Sequence, residues 1–125
     1  MELLEVNTVD ESDPTWATLK EVAGKSELRF KMSAAMIHRG RIIAVSSNSS
    51  KTHPRFGSKS KYKTLHCEGN LLWTCEKLGI DPKGMTMIVY RKNALNAKPC
   101  KDCEALIKKH KIKKVIYTNA ANDWL

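Results

Sequence analysis

The stretch from His66 to Cys103 constrains this chain more than anything else in it. It opens with His66-Cys67-Glu68 and closes with Pro99-Cys100-Lys101-Asp102-Cys103, an H-x-E and a P-C-x-x-C separated by 30 residues. His66, Cys100 and Cys103 are nitrogen and sulfur donors of the kind that suit tetrahedral zinc with one position left for water. A closed site needs a fourth protein ligand, and the candidates are Cys67 and Cys75. Cys67 falls about 100° around a helix from His66, so the open site is the expectation. Glu68 is the proton-handling group of the set. The fold has to bring the two ends of this stretch together, and one helix and one strand fill the distance between them.

The rest of the chain supplies that fold. Asp13-Pro14 reads as a helix start, with Asp as N-cap and Pro in the first turn. Trp16, Leu19 and Val22 or Ala23 recur at helical spacing, and Gly24 is a stop. Residues 28–37 and 41–46 read as strands joined through His38-Arg39-Gly40 as a hairpin. A polar, basic, irregular loop follows over 47–63, broken by Pro54 and Gly57. The helix from about Leu65 sets Leu71, Leu72, Cys75 and Leu78 on one face, and Gly79 and Pro82 end it. Residues 85–90 form a nearly continuous apolar run, as in a central strand covered on both sides. A helix opened by Pro99 carries Cys103, Leu106, Ile107 and His110 on one face, and Val115-Ile116-Tyr117 is the last clear strand. Helix, hairpin, then helix–strand–helix–strand makes one α/β layered domain over residues 1–125, its later strands parallel.

Motif and element order together resemble the cytidine and deoxycytidylate deaminase superfamily over most of the chain. The short deoxycytidylate-type members are the most similar, because Asn48-Ser49-Ser50-Lys51-Thr52-His53-Pro54 matches their N-x-x-K-T-H-P stretch. The resemblance implies a three-layer fold, a mixed sheet of four or five strands flanked by helices. Many nucleotide-type members continue through a further strand and helix, whereas this chain stops soon after residues 115–117. A fifth strand is therefore expected to be short, missing, or built from the last residues around Trp124.

The implied activity is zinc-dependent hydrolytic deamination of cytosine in a small pyrimidine nucleotide, deoxycytidylate first, with cytidine and deoxycytidine as further substrates. One Zn2+ per chain sits on His66, Cys100 and Cys103 and lowers the pKa of its water from about 15.7 to about 7. Glu68 moves protons from that water to the ring nitrogen and the departing ammonia. The resemblance places Asn48 on the sugar and base edge, the backbone N–H of Cys67 in the pocket, and Tyr117 at the substrate entrance. Cys67 departs from the usual Ala and reads as an inert small residue. Lys51, His53 and Arg55 share the loop before the catalytic helix and are the expected phosphate contacts. Histidine as first ligand favours the nucleotide-type branch over free cytidine deaminases, which usually carry cysteine there.

Charge keeps a second class open. The net charge is +9. Five bases and no acid lie in residues 51–63, and nine bases against two acids in 91–114. A basic chain expects an anionic partner, so nucleic-acid editing is the alternative: cytosine in single-stranded DNA or RNA, or adenosine in tRNA. Asp102 stands where tRNA-adenosine enzymes carry Met, which counts against the last. A zinc-stabilised nucleotide-binding module without activity is the non-enzymatic alternative. No apolar run approaches the ~20 residues of a membrane span, and the acidic start has no signal-peptide pattern. Two of four cysteines stand at metal-ligand spacing and none precedes residue 67, so a reducing cytoplasm is the expected location (a host's for a viral chain). A homo-oligomer is compatible with everything above.

Overall fold

The structure is a computed structural model and describes residues 1–10, 12–49 and 66–120. Its elements are β1 (Glu2–Val6), α1 (Pro14–Gly24), β2 (Met32–His38), β3 (Arg41–Ser47), α2 (Cys67–Lys77), β4 (Thr86–Arg91), α3 (Lys101–Lys109) and β5 (Lys114–Thr118). They form a mixed five-stranded sheet in the order β1-β5-β4-β2-β3, with β1, β5 and β4 parallel and β2 antiparallel to both its neighbours.

The expected α/β layering is present. The fifth strand is neither missing nor C-terminal: β1 takes that edge, Glu2 to Val6 pairing with Lys114 to Thr118. ELLEV does not alternate cleanly, and its residues are only exposed or half-buried. Its backbone is held because β5 would otherwise present an unpaired edge. Trp124 lies outside the described residues, as does most of the 47–63 loop.

β4 is covered on both sides, and the two faces carry separate cores. Met87 and Val89 join Ala34, Met36 and Val115 under Leu71, Leu72, Cys75 and Ile107 of α2 and α3. Ile88 and Tyr90 join Ala35 under Leu19 and Ala23 of α1. This is the period-2 alternation of a strand, with both faces apolar because helices lie on each. Leu78, expected on the buried face of α2, is instead its C-cap and 61% exposed, because the helix has already ended there. The β2–β3 turn is two residues, Arg39 and Gly40, both at positive φ, the conformation whose twist matches a hairpin.

Polar side chains fix the layers. Ser33 donates to the Leu19 carbonyl at 2.6 Å, tying α1 to β2. Asn70 donates to the Ser47 carbonyl at 2.9 Å, and the Ser46 and Thr74 hydroxyls meet at 3.0 Å, so α2 is pinned to β3. The position of α2 decides where His66 and Glu68 stand.

Candidate metal and substrate site

His66 and Cys100 are the N-cap residues of α2 and α3, one position before the first turns in which the sequence suggests them. Both are extended, with ψ of 155° and 171°, so each side chain projects from a helix start instead of lying along it. Cys103 follows one turn later and is buried. The two helix starts meet. His66 Nδ1 lies 3.2 Å from Cys103 Sγ and 3.6 Å from Cys100 Sγ, and the three donor atoms lie within 4.8 Å of one another. They are the one group of three or more metal-ligating side chains so placed among the described residues.

That spacing suits a zinc ion. Donors about 2.1 Å (N) and 2.3 Å (S) from one tetrahedral centre lie about 3.5–3.8 Å apart. Electrostatics agrees. Burial pushes the Cys103 thiol far up, and the Glu68 carboxylate and the neighbouring Cys100 add to the effect. A buried thiol beside a carboxylate becomes a thiolate ligand only when a cation balances the charge. Neither Cys67 nor Cys75 belongs to the donor group, so among the described residues the set stops at three.

Glu68 is in the first turn of α2 and only 3% exposed. Its Oε1 accepts a hydrogen bond from the Cys67 thiol at 2.9 Å. Cys67 is therefore not the inert small residue its type suggests. Burial, then the charge of Glu68, keeps its thiol protonated, which makes it a donor fixed on the carboxylate.

Glu68, His66 and Cys100 open on one cavity of about 620 Å³, a volume in the range of small-molecule sites. Asn48 is on its wall, as expected. Its side chain is occupied by backbone: Oδ1 accepts from Met32 N at 3.1 Å, and Nδ2 donates to the Phe30 carbonyl. Asn48 thus fixes the segment leading into β2. Tyr117 does not line the cavity. It pairs with Glu5 and Val89 in the sheet and packs on the core beneath α2 and α3. Cys67 does not line it either. Lys51, His53 and Arg55 lie outside the described residues.

The structure brings other residues to the mouth. Arg29, Phe30, Arg91 and Lys98 line the cavity, and among the described lining residues Glu68 is the one acid. Phe30 is 56% exposed, with the Arg91 and Arg29 guanidinium carbons 4.9 and 5.6 Å from its ring centre. The sequence signal is the Arg29-Phe30 pair, concealed within the single strand expected over 28–37. β2 begins only at Met32, which leaves Arg29 and Phe30 outside the strand, on the cavity wall.

The model of the cytidine and deoxycytidylate deaminase zinc-binding region matches residues 13–119. The chain belongs to the cytidine and deoxycytidylate deaminase family. Family membership makes it a hydrolytic deaminase in general terms, and the family's zinc-binding region spans all three donors. No curated protein matches the chain. Solved structures support the fold. The dCMP deaminase of cyanophage S-TIM5, in complex with dCMP and dUMP, superposes with a TM-score of 0.57 and 23% identity, covering 82% of this deaminase and 77% of that one. A mutant cytidine deaminase from Mycobacterium tuberculosis gives 0.58 at 18% identity, covering 90% and 96%. A diaminohydroxyphosphoribosylaminopyrimidine deaminase/5-amino-6-(5-phosphoribosylamino)uracil reductase from Thermotoga maritima gives 0.55 at 27%, covering 81% of this chain and 27% of that one. Among the described residues no helix is long and apolar enough to cross a membrane.

Proposed function

We propose that this chain deaminates the cytosine of a pyrimidine nucleotide, deoxycytidylate first, releasing the uracil nucleotide and ammonia. The observation that carries the reading is the convergence of His66, Cys100 and Cys103 on one point, with buried Glu68 opening on the same cavity. Those three residues would hold a zinc ion, which supplies water acidified toward neutral pH. Glu68 takes a proton from the attacking water and passes it to the ring nitrogen beside the amine-bearing carbon. Glu68 then takes the remaining proton from the hydroxyl now on that carbon and hands it to the amine, so the carbonyl forms as the C–N bond breaks and ammonia leaves. The Cys67 thiol occupies Oε1, so the proton traffic falls to Oε2.

A nucleotide is favoured over a nucleoside by Arg29, Arg91 and Lys98 in the cavity wall, since a phosphate needs one or two cations. The complex of the cyanophage dCMP deaminase with dCMP and dUMP supports the same substrate class. Exposed Phe30 beside two guanidiniums supports a second reading, single-stranded nucleic acid with a neighbouring base stacked on the ring.

Ammonia release decides between them, with cytidine, deoxycytidine, both monophosphates and a single-stranded oligonucleotide side by side. The expected order puts deoxycytidylate first, with a log affinity against log salt slope below about one. A preferred oligonucleotide with a slope near −0.7 per phosphate contacted would overturn the mononucleotide reading. No ammonia from any substrate by zinc-loaded protein would overturn both.

A further inference from the structure

The α1 face of the sheet carries a second cavity, of about 420 Å³, that shares no lining residue with the first. Its walls are the segments just past the ends of β1, β4 and β5: Asn7 and Thr8, Asn93 and Ala94, and Ala120. These are the three parallel strands, and ligands of α/β sheets settle in the crevice beyond the carboxyl ends of such strands. α1 closes the cavity with Trp16 and Lys20.

Two further observations point to a ligand. Tyr90 lines the cavity and is only 4% exposed, yet no hydrogen bond is made by its hydroxyl among the described residues. No fully buried side-chain N or O there lacks a partner, so this hydroxyl opens on the cavity, poised to donate or accept. Another part of the wall is strained. Asn93 and Ala94 both adopt left-handed backbone, φ 64° and 54°. Asn tolerates that region, but for Ala it is costly. The bond from Ala120 N to the Ala94 carbonyl, 2.8 Å, holds it there. Strain of this kind gathers where a backbone is shaped around a ligand.

We propose that this cavity binds a planar nitrogen heterocycle of nucleobase or nucleoside size. Trp16 and Tyr90, ring centres 6.5 Å apart and tilted by 53°, offer an aromatic wall to a flat ring. The lining residues include Asn7 and Asn93, whose amides each carry donors and an acceptor, and Thr8 and Tyr90, which add hydroxyls. Paired donors and acceptors beside an aromatic wall read the edge of a heterocycle. An aliphatic ligand would leave them unmet.

The test is calorimetric titration of the full zinc-loaded chain with adenosine, guanosine, uridine and thymidine. At least one is expected to bind saturably. Tyr90→Phe keeps the packing and removes only the hydroxyl, and should weaken that binding about three- to tenfold, the range of one hydrogen bond. Asn93→Gly keeps the left-handed turn and should weaken it similarly. Absence of saturable binding by all four at millimolar concentration overturns the proposal. So does binding of equal strength in Tyr90→Phe and Asn93→Gly.

Discussion

Among the described residues the three α-helices start in the same extended N-cap geometry, and only α1 uses it for an ordinary cap. At α1 the Asp13 carboxylate accepts from Thr15 N at 2.9 Å. At α2 the N-cap is His66, which makes no side-chain cap bond at all. At α3 Cys100 accepts from Cys103 N at a long 3.5 Å through sulfur. Replacing a good cap by a poor one costs a helix about 0.5–2 kcal/mol. The two starts with the poorer caps are the two that face each other across the donor cluster. The α1 start, on the other side of the sheet, has no such task. A helix start that presents a ligand side chain where a capping side chain is expected marks the site as clearly as the motif does.

The sharpest way to break that contrast is to turn α2 into an ordinary capped helix. His66→Asn gives a residue that caps well but removes one of three donors. Turnover should fall to background and the bound zinc, about one per chain before the change, should be lost. The metal-free variant should meanwhile unfold in urea with about 1 kcal/mol more stability than metal-free wild type. Undiminished zinc by elemental analysis would show that His66 is not a ligand.

Glu68→Gln sharpens the same comparison from within the first turn of α2. The side chain keeps its shape and is not a donor of the cluster, so zinc content should not change. Turnover should drop by about 10²–10⁴, the usual contribution of a general acid–base group. More than about a tenth of wild-type turnover would place the proton transfers elsewhere. A smaller effect is expected at the mouth. Arg91→Ala should raise KM for the monophosphate about tenfold or more, as for one lost charge-assisted hydrogen bond, and leave KM for the nucleoside unchanged. Equal effects on both substrates would make Arg91 a structural residue only.

What the sequence reveals here follows from how local each signal is. The Asp13 cap, the turn at Arg39-Gly40 and the apolar run in β4 are local patterns, and each element lies within a few residues of where they place it. The H-x-E and P-C-x-x-C motifs carry the donor types, and packing of α2 and α3 on one face of the sheet brings their starts together. β1 is legible only through its partner: ELLEV is held by pairing with β5, more than a hundred residues away in the chain. The cavity mouth fails for the same reason. Arg29 and Arg91 become neighbours because β2 pairs with β4, Met32 opposite Arg91, and no spacing in the chain announces that. Asn48 shows the converse, since its position on the wall follows from the motif but its hydrogen bonds to Phe30 and Met32 do not.

The smallest effect tests the other side of the contrast. Asp13→Ala removes the capping carboxylate of α1 and touches nothing on the α2 and α3 face. Thr15 N then loses its acceptor at a site open to water, so solvent replaces part of the bond and the loss stays near the usual cap value, about 1 kcal/mol. Two-state unfolding in urea should show that loss with an unchanged m-value, because the area exposed on unfolding is the same. Zinc content, kcat and KM should all match wild type, because Leu19 and Ala23 still seat α1 on the sheet. Should Asp13→Ala instead lower kcat at full zinc occupancy, the two faces would be coupled through β4. The division between a helix start that holds the fold and two that hold the site would then be wrong.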